Sequence, residues 1–276
     1  MTTLFAVVCD PYNLQLAWQR VWEGRTWAER QRGAGADGLT LLDWEADWSR
    51  RVLELQATLW QGAYRPTELL WFEIPRSDGG RRRLGIPTVT DRVAQRAVQN
   101  VLEPLLEQVF LSCSHGYRPK RSVYTAITHV LWHNAQGLNW VLDADIADYF
   151  GTVPHARLLE QLAQLEDDRL VRLIAGWLEV GATRPGLGLA QGAVISPLLA
   201  NLYLHPFDVA LIRAGWALVR YADDFVILCH SRNAAQAALV EAADRLAGLD
   251  LALNAEKTTI VPFGPDFEFL GARFED

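Results

Sequence analysis

The sequence predicts an α+β fold, on three observations. Apolar runs of strand length and apolar stripes of helical period interleave along the 276 residues with no regular βαβ alternation and no internal repeat. Up to about Tyr64 the pattern is Trp-rich and mainly helical. Further on, Tyr221-Ala222-Asp223-Asp224 lies between two apolar runs, residues 216–219 and 225–229, as in a hairpin whose turn carries carboxylates. Half of all residues are hydrophobic, enough to bury a sizeable core, so the chain is globular.

The elements follow in order. Trp18 and Trp22, then Trp44 and Trp48, stand at i, i+4 spacing, which predicts helices whose indoles pack in a core or interface and do not stack on bases. Residues 69–74 and 83–86 predict two short strands joined by the turn Ser77-Asp78-Gly79-Gly80, a hairpin that carries arginines. Thr90 is the expected N-cap of the clearest helix, with Asp91 in its first turn and an apolar stripe from Val93 onward to Phe110. Pro104 is expected to kink or end that helix, and its polar face, with Arg92 and Arg96, to be open to a partner. Residues 139–146 predict a buried strand with Asp143 and Asp145 on one face, followed by Tyr149-Phe150 and a turn ending at Pro154. Residues 186–192 form a glycine-punctuated loop, and Ser196-Pro197 opens a helix as N-cap and N1 proline. A helix over 234–249 and strand-like segments at 251–253, 258–262 and 267–274 complete the chain.

Charge and cysteine usage bound the function classes. The net charge is −7, which runs against the basic surface usual for a nucleic-acid partner. Residues 72–121, however, hold nine basic residues against five acidic ones, a local +4. A basic segment opposed to an acidic centre suits an enzyme that grips phosphates with one part and metal with another; an ordinary charged surface is the plain alternative. Cys9, Cys113 and Cys229 are far apart and odd in number, against a disulfide framework or a thiolate zinc site. No apolar run reaches the roughly 20 residues of a membrane span, and the first residues lack a basic region and a cleavage site, so a cytoplasmic protein without membrane contact is expected. His129 and His133 stand at zinc-binding spacing on a helix, but no glutamate or third ligand accompanies them, and ordinary helix-face histidines are the better reading.

Asp223 and Asp224 carry the chemistry. Successive strand side chains point to opposite faces, so adjacent aspartates serve one site only where the chain turns, and a tight turn at Asp223 and Asp224 is expected. A sheet could bring Asp145 from its own strand beside that hairpin and complete a three-carboxylate cage. Gathering unpaired negative charge is costly unless cations or hydrogen bonds compensate, and hard oxygen ligands favour Mg²⁺ or Mn²⁺. Paired ions serve phosphoryl transfer by stabilising both the attacking and the leaving oxygen. For the hairpin alone, a solvated Asp-Asp turn is the plain alternative.

Eight motifs occur in a fixed order: Gly35-Ala36-Asp37-Gly38; IPRSDGGRRRLGIPTVTDR from Ile74; SHGYRPKRS from Ser114; DADIADYF from Asp143; QGAVISPLLANLYL from Gln191; RYADDFVIL from Arg220; EKT from Glu256; and FEFLG from Phe267. In these, over nearly its whole length, the chain resembles a reverse transcriptase of the group II intron class. The resemblance implies fingers and palm, with a mixed or antiparallel palm sheet and a helical N-terminal extension over 1–65. Residues 66–135 and 151–190 would be mainly fingers, and 136–150 and 191–276 mainly palm. It implies an RNA-directed DNA polymerase that adds dNTPs to the 3′-hydroxyl of a DNA or RNA primer on an RNA template, with two Mg²⁺ ions for which Mn²⁺ can substitute.

Roles follow residue by residue from the same resemblance. Asp145, Asp223 and Asp224 match the metal-binding catalytic triad, with Asp143 the less favoured substitute on the same strand face. Arg82 matches the finger arginine on the incoming triphosphate, and Arg76 stands where the family often has lysine, which keeps charge and changes geometry. Phe150 matches the bulky residue that excludes a ribose 2′-hydroxyl; its plain alternative is a core aromatic. Gln191 and Gly192 match the loop lining the nucleotide pocket, and Lys257 a basic residue near the triphosphate. Phe269, Leu270 and Gly271 resemble the primer grip.

Ala190 departs from the proline usual before the Gln-Gly pair, and the chain ends at Asp276, so a thumb is expected to be absent. The GYRPKRS, HPFD and RYADDFVILC phrasing looks most like the reverse transcriptases associated with CRISPR adaptation, which implies an integrase complex as partner and spacer acquisition from RNA. The alternative from another class is a nucleic-acid-binding scaffold subunit of such a complex, with weak or no polymerase activity.

Overall fold

A computed structural model describes residues 3–75 and 81–274, and they form two compact units. The first comprises Met1–Leu106 and Pro154–Ser196, the second Glu107–Val153 and Pro197–Asp276. Elements are numbered along the chain.

The first unit opens with helices α1 (Leu4–Val8), α2 (Pro11–Trp22), α3 (Trp27–Arg32), α4 (Leu41–Glu45) and α5 (Trp48–Trp60). Short polar side chains start them by accepting exposed amides: Thr3 for α1, Asp10 ahead of Pro11 for α2, and the capping boxes Thr26 with Glu29 and Thr40 with Asp43 for α3 and α4. Trp18 packs on Trp44 with ring centroids 4.5 Å apart, and both indoles are buried, as their spacing predicts. Trp44 and Trp48 do not share a helix, because α4 ends at Glu45 and α5 starts anew at Trp48.

Strands β1 (Leu70–Pro75) and β2 (Arg81–Ile86) pair antiparallel, and the turn expected between them lies with Arg76 outside the described residues. Helix α6 (Val89–Leu106) is capped by Thr88, whose hydroxyl accepts from the Asp91 amide at 3.1 Å and donates to its carboxylate at 2.6 Å. The expected cap, Thr90, is engaged instead by the Trp44 indole at 3.1 Å. Pro104 sits in the last turn and the helix ends two residues later. Arg92 is not open to a partner: its guanidinium donates to the carbonyls of Pro87 and Gly33. Helices α9 (His155–Ala163) and α10 (Asp168–Val180) complete this unit.

The second unit is built on a four-stranded antiparallel sheet in the order β4 (Ala217–Tyr221), β5 (Asp224–Cys229), β3 (Trp140–Asp145), β6 (Thr259–Pro262). Helix α7 (Val123–Ala135) starts at the Ser122–Thr125 capping box and lays Ala126 and Val130 on Val141, Val219, Val226 and Leu228. Helix α12 (Arg232–Ala247), capped by Ser231, packs on β3, β5 and β6 through Ala235, Ala238, Ala242 and Leu246. Helix α11 (Ser196–Arg213) starts at Ser196 itself, one residue earlier than expected, and sets Phe207 edge-on to Phe225 at 5.3 Å. A single turn, α8 (Tyr149–Thr152), follows β3.

The chain ends in a two-residue hairpin, β7 (Glu268–Phe269) and β8 (Ala272–Arg273), whose turn residues Leu270 and Gly271 have φ of 53° and 79°, the left-handed pair of a type I′ turn. Phe267, Phe269 and Phe274 bury their rings in the same core as α7. The segment at 251–253 reduces to a bridge from Leu253 to Ile146. Among the described residues no helix is long and apolar enough to cross a membrane.

Candidate active site

The β4–β5 hairpin closes over Ala222 and Asp223, with Tyr221 opposite Asp224. The turn therefore falls one residue earlier than expected, and Asp224 is the first residue of β5. Ala222 adopts φ 60°, a left-handed conformation that costs a non-glycine residue about 1–3 kcal/mol and has to be imposed by its surroundings. The surroundings are visible. The Ala222 carbonyl accepts from the Arg220 guanidinium at 2.9 Å, and Gly116 backs so closely onto the turn that a Cβ there would lie 2.4 Å from the Ala222 nitrogen. Gly116→Ala is thus expected to cost about 1–3 kcal/mol by forcing backbone apart, measured by urea denaturation; a change under about 0.5 kcal/mol would show that the turn yields freely.

The register of β3 brings the carboxylates together. Asp145 pairs directly with Asp224, so both point to one face, and the Ile146 amide donates to the Asp223 carbonyl at 3.3 Å. Asp145 is buried and accepts from Asn254 Nδ2 at 3.2 Å and Lys257 Nζ at 3.1 Å, while its carbonyl accepts the Asn254 amide at 2.8 Å. Burial, then the charge of Asp223, then Asp145 push the Asp224 carboxyl up to about 7, against which Lys257 pulls down. Asp143, next on that face, is raised to about 6 by burial and by Asp145. The Lys257 ammonium is held charged above its ordinary range by its bond to Asp145.

Among the described residues no three histidine, cysteine or carboxylate groups already stand at metal-ligand spacing, and Lys257 forms an ion pair with Asp145. The donor set nevertheless fits a divalent ion. It is all hard oxygen, and the raised Asp224 pKa marks negative charge that its surroundings leave under-compensated.

Phe150 lies on α8 in the same unit, buried, edge-on to Tyr149 at 5.8 Å and to Tyr117 at 6.3 Å. The chain enters α8 through Asp148 at φ 41°, and Gly151 makes room for the Asp148 carboxylate, which a Cβ would meet at 2.2 Å. Phe269 is a core residue, so of the expected primer-grip positions Leu270 and Gly271 form the hairpin tip.

The first unit gathers another group. Arg82, on the exposed end of β2, donates to the Gln191 side chain; the Gly85 amide donates to the Gln191 carbonyl at 2.7 Å. Gly192 has φ 103°, and a Cβ on it would meet the Gly85 carbonyl at 2.7 Å, so only glycine fits this approach. Ala190 is buried with Leu69 and Ala193, a small-residue contact in place of the proline the motif usually carries. Arg83 stacks on Trp71 at 4.1 Å.

Two residues that support the carboxylates carry no local sequence signal. Asn254 brackets Asp145 through backbone and side chain, and Arg220, within the RYADDFVIL motif, supports the turn through the Ala222 carbonyl. Arg118, counted among the phosphate-gripping basic residues, is buried and pairs with both oxygens of Glu107. His129 and His133 stack at 4.7 Å, and His129 Nδ1 lies 3.1 Å from His115 Nε2, in a cluster that burial keeps neutral.

Residues 74–274 match the family model described as reverse transcriptase (RNA-dependent DNA polymerase). The chain belongs to this family. It is 33% identical to protein YkfC of Escherichia coli (strain K12), over 87% of this chain and 75% of that protein. It is 31% identical to the group II intron-encoded protein LtrA of Lactococcus lactis subsp. cremoris, over 75% of this chain, and spans only 35% of LtrA. Among solved structures, a partial Cas6-RT-Cas1–Cas2 complex matches with a TM-score of 0.51 and 29% identity, covering 89% of this chain and 42% of that one. Telomerase from Candida tropicalis, at 12% identity and a TM-score of 0.56, shares the fold.

Proposed function

We propose that the chain is an RNA-directed DNA polymerase that extends a DNA or RNA primer with dNTPs on an RNA template. The observation that carries this reading is the register of Asp145 against Asp224, beside Asp223, in a chain of the reverse transcriptase family. Residues 136–150 and 191–276 then act mainly as palm, and residues 66–135, with the β1–β2 hairpin, and 151–190 mainly as fingers.

Asp145, Asp223 and Asp224 would hold two Mg²⁺ ions, or Mn²⁺ in their place, which when bound supply activation of the primer hydroxyl and neutralisation of charge on the phosphates. The protein's own groups do the rest. Asn254 and Lys257 orient the Asp145 oxygens, and Lys257 carries positive charge to the carboxylates and to the polyphosphate. Arg82, preset by Gln191, and Arg76 bind the triphosphate oxygens, and Gln191 with Gly192 shape the nucleotide pocket. The primer 3′-hydroxyl attacks the α-phosphate and pyrophosphate leaves. Leu270 and Gly271, at the hairpin tip anchored by the buried Phe269, grip the primer strand.

Phe150, held by Tyr149 and Tyr117, presents an immobile ring to the sugar and excludes a 2′-hydroxyl. Phe150→Val is expected to narrow the preference for dATP over ATP by about 10²-fold, read as the ratio of kcat/KM values, since steric rejection of one hydroxyl is worth about 1–3 kcal/mol. An unchanged ratio assigns Phe150 to the core alone.

The likeness to the Cas6-RT-Cas1–Cas2 complex supports placing this polymerase beside a CRISPR integrase, copying RNA-derived spacers into DNA. Primed-RNA extension by the purified chain, with and without copurifying integrase subunits, tests both parts. Incorporation in Mg²⁺ or Mn²⁺ supports the polymerase. A folded protein that adds no dNTP to any primed template overturns it in favour of a binding scaffold, and absence of any copurifying integrase overturns the CRISPR placement.

A further inference from the structure

We propose that Arg220 is a positioning residue for the carboxylate hairpin. With Asp208, Asn201 and Ser114 it forms a buried clamp that fixes the turn presenting Asp223 and Asp224; its catalytic consequence rests on the polymerase reading above. Arg220 is on β4, two residues before the turn, and only 1% exposed. Nε donates to Asp208 Oδ1 at 2.7 Å and Nη2 to Asp208 Oδ2 at 2.6 Å. Nη2 also donates to Ser114 Oγ at 2.9 Å, and Nη1 donates to Asn201 Oδ1 at 3.1 Å and to the Ala222 carbonyl at 2.9 Å. Every N–H of the guanidinium fork is thereby used.

The clamp closes on the turn from a second side. Asn201 Nδ2 donates to the Gly116 carbonyl at 2.8 Å, and Gly116 is the residue whose Cα backs onto the Ala222 nitrogen. The same loop is hydrogen-bonded to β4 through His115 N to Arg220 O and Arg220 N to Cys113 O, both 2.8 Å. A buried ion pair gives little stability over an apolar pair of equal volume, so stability alone does not call for this network. What an apolar pair cannot do is hold the Ala222 carbonyl while Ala222, lacking glycine's freedom, sits at φ 60°. Planarity and a fixed fork let arginine tie the turn, α11 and the 114–116 loop at once, which lysine cannot.

The test uses Asn201→Ala, which leaves the Arg220–Asp208 pair intact, and Arg220→Lys. Leu246→Ala on α12 is the comparison for lost packing in the same unit. Hydrogen exchange is read at the turn amides, residues 222–224, and at the β5 amides, residues 226–228, alongside the kcat and KM of primer extension. Both clamp variants are expected to melt cooperatively, to speed exchange at 222–224 by about tenfold or more with 226–228 unchanged, and to lower kcat at least about tenfold with KM for dNTP within about threefold. Leu246→Ala is expected to lower the melting temperature without either change. The clamp is overturned if turn exchange tracks melting temperature in all the variants, or if kcat holds while the turn loosens. Should Arg220→Lys fail to fold, Asn201→Ala decides alone. If wild type extends no primer, the polymerase reading falls and the exchange pattern alone decides whether the clamp sets the turn.

Discussion

Asp224→Asn is expected to lower nucleotide addition by at least about 10³-fold, a barrier increase of roughly 4 kcal/mol, while making the metal-free protein more stable at neutral pH than wild type. The two effects have one cause. Burial and the charges of Asp223 and Asp145 raise the Asp224 carboxyl from an ordinary 3.8 to about 7, so folding disfavours its ionised form. Between those values the folded state keeps a proton that the unfolded state has lost. Stability therefore falls as pH rises through about 4 to 7, the opposite of the usual carboxylate. Asparagine keeps the shape and cannot ionise. In EDTA, the melting temperature of the variant should match wild type near pH 4 and exceed it by a margin that grows up to pH 7, and added Mg²⁺ should stabilise wild type more than the variant. Activity within tenfold of wild type removes Asp224 from the catalytic group, and a melting difference flat across that pH range removes the raised Asp224 carboxyl.

Legibility in the sequence followed the range of the interactions. The strand at 139–146 and the hairpin around Asp223 were readable because apolar runs and side-chain alternation are local, and alternation alone put Asp143 and Asp145 on one face. The turn moved by one residue because its position is set by Arg220 and Gly116, neither of which carries a turn signal for Ala222. Thr90 has the right chemistry for a cap and lost that role to Thr88 once Trp44, distant in sequence, took its hydroxyl. Arg92 reads from sequence as open to a partner and Arg118 as one of a basic segment; carbonyls and Glu107 consume them, which no charge count reveals. Asp145 and Asp223-Asp224 were found as residue types, whereas Asn254, which braces Asp145, has no distinguishing local pattern and becomes visible only when residues 145 and 254 meet.

Asp208→Ala is expected to destabilise the chain by about 3–5 kcal/mol, a large fraction of the 5–15 kcal/mol typical of a folded protein. Asp208 is fully buried and takes both of its oxygens to Arg220, so truncation leaves a guanidinium in the interior with its charge unmatched. Asn201 and Ser114 offer dipoles and no charge, and the Ala222 carbonyl is already engaged. Urea denaturation measures the loss, and one below about 1 kcal/mol would mean that water or a shifted side chain reaches Arg220. The paired replacement Asp208→Leu with Arg220→Met separates stability from positioning. Apolar side chains of similar volume should recover most of the lost stability, because burying the ion pair brought little net gain to begin with. They leave the Ala222 carbonyl without its donor, so primer extension in the double variant should stay low although the fold has returned. Recovery of both together would make the ion pair a packing element that any well-fitted pair could replace.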